Sequence, residues 1–275
     1  PSTGVVIYYQ LPALKPTDEL VMEIKDETGK PVRTFSSKKD SLYKRYDGGP
    51  SAEPLLSKGK GLNRFVWDIR YATMPGVPGV YIESSYNGHK AAPGKYTITI
   101  KSGMQTINTT ATVLANPLYE TNAANYKEYD EIMSGMEKEL TVMHNLVNSM
   151  FAKQEQLKNL LANLPADVKY NALKKEGQVI LQRMKAWDEE MVQRKSKAYD
   201  DVENFPNKFT ANYMFLINQT ESDIPRVNQP SKDLLQKLNA EWAVLKTRAA
   251  ELLDKSIPGF NQLLWEAGVG AIWKN

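Results

Sequence analysis

The stretch that most limits what this chain can become is 122–164. Apolar residues recur there at spacings of three and four: Tyr126, Tyr129, Met133, Met136, Leu140, Met143, Val147, Met150, Leu157, Leu161 and Leu164, with Gln154 as the one polar member of the series. This coiled-coil-like spacing predicts one uninterrupted helix. Thr121 or Asn122 can cap its start, and Pro165 ends it. The helix would be roughly 43 residues and about 65 Å long. A small core cannot support it over that length, so it needs partners of comparable extent.

The spacing continues beyond a short connection at 164–167. Tyr170, Leu173, Gly177, Ile180, Met184, Trp187 and Met191 predict a second helix from 167 to about 199. The brevity of the connection makes it antiparallel to the first. Leu235, Leu238, Trp242, Leu245, Ala249 and Leu252 predict a third helix over 231–256, capped by Ser231 after Pro230. Residues 117–275 thus read as an antiparallel three-helix bundle. Within 200–229 the apolar run 209–217 forms a short helix at the bundle end. The tail 258–273, with Phe260, Leu263, Leu264, Trp265, Ile272 and Trp273, docks against the bundle.

Before residue 116 the period is two. In 60–71 (KGLNRFVWDIRY), Phe65, Trp67 and Ile69 share one strand face, and Arg64, Asp68 and Arg70 the other. A strand row containing a Trp needs a second layer over it. Further strands are expected at Val5–Leu11, 19–25, Pro31–Ser36, 94–101 and 105–114, with one more at 79–84. The DETGK turn at 26–30 makes a hairpin of the second and third. The fold class is therefore multidomain, β then α: an antiparallel immunoglobulin-like β-sandwich over 1–116, then the bundle.

Two long loops flank the 60–71 strand. The first, 37–59, carries Tyr43 and Tyr46; the second, 72–91, carries Tyr81, Tyr86 and His89. Tyrosines on loops of a rigid sandwich are a means of stacking on sugar rings, so Tyr43, Tyr46, Tyr81 and Tyr86 are the candidate glycan-binding residues. The competing reading has them cover the sandwich ends or contact a neighbouring domain. The loops leave opposite ends of a strand about 33 Å long. They share a site only if one folds back along the sheet.

The segments 24–35 (IKDETGKPVRTF), 61–71 (GLNRFVWDIRY) and 92–100 (APGKYTITI) resemble the FlgD-type Ig-like module. That module is found in the C-terminal region of large exported bacterial proteins built on sortilin-type or BNR-repeat β-propellers, many of them labelled glycosyl hydrolases. The resemblance covers about the first 115 residues and extends loosely to the helices that often follow the module. It implies export, an upstream propeller in the same parent chain as partner, and hydrolase activity, if any, upstream. No functional residues carry over. The chain opens at Pro1 and enters a strand almost at once, which reads as a piece of something longer or a processed product.

Composition narrows the chemistry. Of 275 residues 24% are charged, with both signs interspersed and a net charge of +3, so no nucleic-acid stripe is present. No apolar run is long enough to insert in a membrane. The absence of cysteine excludes disulfides, thiolate metal sites and cysteine nucleophiles. The two histidines read as a loop residue, His89, and a flanking or exposed helix residue, His144. No HExxH motif, carboxylate–histidine cluster, P-loop or GxSxG is legible. Asp188, Glu189 and Glu190 read as a solvated helix face, and Asp68 as an ion pair with Arg64 or Arg70. Asp200, Asp201 and Glu203 lack the spacing of a calcium loop. Asn108 and Asn218 fit a glycosylation triplet that arises often by chance. Neither a catalytic set, a metal site nor a cofactor is expected. A bundle face left apolar would support homo-oligomers.

Overall fold

A computed structural model describes residues 3–118, 120–222 and 225–270. Antiparallel sheets come first and helices second. β1 (Val5–Leu11) pairs with β4 (Gly61–Trp67) in a two-stranded sheet. β2 (Leu20–Lys25), β3 (Pro31–Ser36), β5 (Gly94–Ser102) and β6 (Gln105–Val113) form a four-stranded sheet in the order β3-β2-β5-β6. The alternation in β2 buries Leu20, Met22 and Ile24 on one face. Those residues meet Ile7, Phe65 and Trp67 of the smaller sheet. Phe35 and Phe65 lie 4.6 Å apart across this core, and Trp67 sits edge-on to Tyr96 at 5.1 Å.

The strand at 60–71 ends earlier than its pattern predicts. Ile69 adopts φ 60°, a left-handed conformation costly for a β-branched residue. The Trp67 indole N–H donates to the Arg70 carbonyl at 3.0 Å, and Ala91 N donates to the Ile69 carbonyl at 2.8 Å, which holds the kink. Trp67 thus satisfies its own polar atom by bending the chain out of the sheet. The expected strand at 79–84 does not form. Val80 and Ile82 are buried as the alternation requires, but they face the helices and their backbone joins no sheet.

Helix α1 (Ala123–Asn163) is a single rod. Asn122 caps it through a reciprocal pair with Asn125. Its buried stripe runs through Tyr129, Met133, Met136, Leu140, Met143, Val147, Met150, Gln154 and Leu157. Gln154 is tolerated because its amide donates to the Met184 carbonyl at 3.3 Å. A short 3₁₀ turn (Val168–Tyr170) leads into α2 (Asn171–Met191). A side chain at Gly177 would meet Leu161 at 2.6 Å and Phe260 at 2.8 Å, so glycine permits the close approach of α1 and α2.

α2 stops at Met191 rather than near 199: the next core position is Arg194, whose guanidinium folds back onto Asp188 instead of extending the apolar stripe. After a four-residue turn, α3 (Asp201–Asn204), helix α4 (Phe209–Ser222) takes over along the first half of α1. α5 (Gln229–Glu251) runs beside α1 in the same direction, with Lys232 on Glu128 and Trp242 on Glu139. A π turn (Leu252–Ser256) carries it into α6 (Ile257–Glu266). The long helix is therefore covered by α2 and α4 in succession, while α5 packs on those two and reaches α1 through the side chains of Lys232, Trp242 and Lys246. In the tail, Phe260 and Leu264 are buried and Trp265 is exposed, while Ile272 and Trp273 lie outside the described residues.

Candidate functional site

The sheets and helices meet through the second long loop. Residues 74–86 contribute Met74, Val77, Val80, Ile82 and Tyr86 to the helical core. The loop then returns to the sheets, where Arg70 and Lys90 form an isolated antiparallel bridge and Tyr71 N donates to the His89 carbonyl at 3.0 Å. Gly88 lies against the Tyr71 backbone so closely that a Cβ would come within 2.5 Å of its carbonyl carbon.

This turn carries His89 into a buried polar cluster on α1. Its Nδ1 faces Glu137 Oε2 at 3.0 Å, its Nε2 faces Asp130 Oδ1 at 3.2 Å, and its backbone N–H donates to Glu137 Oε1 at 2.6 Å. Tyr71 Oη donates to Asp130 Oδ1 at 2.7 Å, and Lys30 Nζ to Asp130 Oδ2 at 3.0 Å. Tyr71 stacks on the His89 ring at 4.1 Å, and Tyr129 closes its edge at 5.6 Å. With a carboxylate at each ring nitrogen, the favoured form is the imidazolium donating to both. Burial pulls the His89 pKa down, but the hydrogen bonds to Asp130 and Glu137 outweigh it and leave it above the ordinary value. Burial likewise raises Asp130, yet hydrogen bonds from His89, Tyr71 and Lys30 hold its carboxyl well below the usual carboxylate range. Nearby, Arg70 bridges Glu221 of α4 at 2.8 Å and donates to the Gly88 carbonyl.

A carboxylate–histidine cluster is thus present where the sequence showed none. Asp130 and Glu137 stand 41 and 48 positions from His89. Only the α1 spacing of seven residues, two turns apart on one face, hinted that the two carboxylates act together. A shallow groove of about 290 Å³, lined by Lys30, Tyr71, Glu137 and Thr141, runs beside the cluster. The imidazole itself is sealed from it, with a side-chain exposure of 0%. Among the described residues no group of three or more His, Cys, Asp or Glu is placed to hold a metal ion.

The other sequence candidates fall elsewhere. The two tyrosine loops do meet, because the second folds back along α1. Tyr81 packs on Gly48, and Tyr46 lies against Gly49 and Gly76. Tyr43 is half-buried and donates to the Pro50 carbonyl at 3.1 Å. It borders two adjoining hollows of about 490 and 700 Å³. Tyr86 is turned inward beside His144, with ring centroids 6.1 Å apart. Burial pushes the Tyr46 phenol up to about 12, partly offset by the neighbouring Tyr86 hydroxyl. Tyr86 is raised further by its deeper burial.

His144 is fully buried rather than flanking or exposed. Its Nδ1 lies 2.6 Å from the Pro75 carbonyl, and burial lowers its pKa to about 4, so the ring is neutral and donates there. Asp188 is also buried, because Arg194 folds back past the helix end to grip it with two bonds of 2.5 and 2.6 Å while stacking on Phe151. Glu190 pairs with Arg248 across to α5. Asp68 pairs with Arg33 at 3.0 Å instead of Arg70, because the kink at Ile69 sends Arg70 toward α4. The chain matches no family model, no curated protein and no solved structure.

Proposed function

We propose that the chain is a non-catalytic accessory region of a larger exported bacterial β-propeller protein. In this reading the two sheets are an Ig-like sandwich, the helices are an elaborated three-helix bundle, and hydrolase chemistry belongs to the propeller part. The resemblance of 24–35, 61–71 and 92–100 to the FlgD-type module supports the placement. The observation that carries the non-catalytic part is the His89 cluster. Every ring nitrogen and both carboxylates are occupied by one another, by Tyr71 or by Lys30, and the imidazole is closed off from the groove. An acid/base pair working on a glycoside needs free carboxyl groups facing a cleft. Here the same residues join sheet to helix.

The test is turnover. The purified chain is incubated with a panel of polysaccharides and chromogenic glycosides, with His89→Ala and Glu137→Gln alongside. The reading predicts no hydrolysis by any of them. Hydrolysis by the parent that is lost in both variants would contradict it.

A second reading, glycan binding, is favoured by one observation. Tyr43 borders two adjoining hollows together with Arg45, Asp47 and Lys39, a mixture of ring and polar groups suited to a sugar. Such a site would rest on Tyr43 and Tyr46, which both line the first hollow, while Tyr81 lies outside both hollows and Tyr86 is buried in packing. Binding of a polysaccharide that weakens at least tenfold in Tyr43→Ala would support it. Binding unchanged in that variant would remove it.

A further inference from the structure

The larger sheet has two very different edges. At the β3 edge, Leu56 N donates to the Ser36 carbonyl at 3.0 Å, and Arg33 is held by Glu53 and Asp68. The other edge is β6, the last strand in the order. Its register with β5 runs unbroken from Gly94↔Val113 to Ser102↔Gln105, closed by the two-residue Gly103-Met104 turn. The strand reads QTINTTATV, with no charge and no proline, and it carries no bulge. Those are the devices by which proteins ordinarily block an open edge. Ile107 is 68% exposed, and the flanking Met104 and Leu114 are 103% and 82% exposed.

The backbone of such a hairpin alternates. Residues of the closing pair bond each other, so Gln105, Ile107, Thr109, Ala111 and Val113 bond β5, while Thr106, Asn108, Thr110 and Thr112 turn their N–H and C=O groups outward. These are obligatory hydrogen-bonding groups, and they match another extended strand. We propose that the occupant is a second copy of this chain. The two β6 strands would pair antiparallel about a two-fold axis at Thr109, giving one continuous eight-stranded sheet.

The sequence is self-complementary in that register. Asn108 faces Thr110 and Thr106 faces Thr112 at the outward-bonding positions, while Ile107 faces Ala111. Met104 of each copy faces Leu114 of the other, so the two most exposed apolar residues flanking the strand cover each other twice. No like charges meet, because the strand has none, and threonine–threonine pairs are favourable across strands. A strand of about 30 Å buries an area at the small end of specific interfaces, below roughly 1,200 Å². The association is therefore reversible and concentration-dependent.

The chain has no cysteine of its own, so single cysteines report the register cleanly. Under mild oxidation, Thr109→Cys should form a disulfide dimer, because the residue meets itself on the axis. Ile107→Cys alone should not, whereas Ile107→Cys mixed with Ala111→Cys should. Sedimentation of the parent chain should show a monomer–dimer equilibrium that Thr109→Lys abolishes by setting two ammonium groups face to face, with its circular dichroism unchanged. A parent chain that stays monomeric at every concentration would overturn the proposal. So would cross-linking of Ile107→Cys as readily as Thr109→Cys, or a folded Thr109→Lys variant that dimerises like the parent.

Discussion

His89 and His144 are both buried, yet their protons act on stability in opposite directions. His144 binds its proton less well in the folded chain, with a pKa lowered from 6.5 to about 4 by burial. Its contribution is full above pH 6.5 and is lost as pH falls toward 4, on the order of 3 kcal/mol at about 1.4 kcal/mol per pKa unit. His89 is the reverse. Its raised pKa makes its contribution full below 6.5 and loses it as pH rises through the folded value. Asp130, held low, contributes above its ordinary 3.8 and loses this as pH falls below it. Stability from these groups is therefore greatest near pH 6.5. Urea midpoints across pH 4–9 should show the alkaline decline flattened in His89→Gln and the acid decline flattened in His144→Gln. A parent curve flat over this range would contradict both assignments. Gly88 is the other residue on which the joint depends. A methyl group there meets the Tyr71 backbone, which cannot retreat without losing the bridge at Arg70 and Lys90. Gly88→Ala should cost about 1–3 kcal/mol by overpacking, measured by denaturant unfolding. Gly177→Ala should cost less, because Leu161 Cδ2 and the rim of the Phe260 ring can shift.

At the scale of elements, the α1 stripe was legible because a heptad pattern is a local property, and each apolar position from Tyr129 to Leu157 is buried where the spacing put it. What covers that stripe was not legible. The apolar periodicity ends at Met191, and whether α4 or a longer α2 fills the remaining length is decided by packing, not by propensity. The same holds for 79–84. Its alternation is true to the burial of Val80 and Ile82, but period two cannot say whether a partner strand or a helix lies opposite. The three polar residues His89, Asp130 and Glu137 come from a loop and a helix, and no spacing rule links them. By helix position alone Asp188 falls on the solvent side, and Arg194 reaches it from beyond the helix end. One contact between elements is easily checked. The Trp242 indole N–H donates to Glu139 Oε2 at 2.7 Å, tying α5 to α1. Trp242→Phe should lower stability by about 1.5–3 kcal/mol, the range for a hydrogen bond to a charged group, with Glu139→Gln recovering less than half of that loss when combined.

At the scale of the whole molecule, sheets and helices share one boundary region rather than a linker. Residues Met74, Val77, Val80, Ile82 and Tyr86 of the loop lie in the helical core, while its His89–Ala91 end bonds to residues 69–71 that follow β4. The His89 cluster then fastens β-derived residues, Lys30 and Tyr71, to Asp130 and Glu137 of α1. The molecule is therefore expected to unfold as one unit. Differential scanning calorimetry at pH 6.5, with near-UV signals from Trp67 in the sheets and Trp187 and Trp242 in the helices, tests this most directly. The account predicts a single transition for the parent chain and two separated transitions for His89→Ala combined with Glu137→Gln. Two transitions in the parent, unaffected by those substitutions, would contradict it.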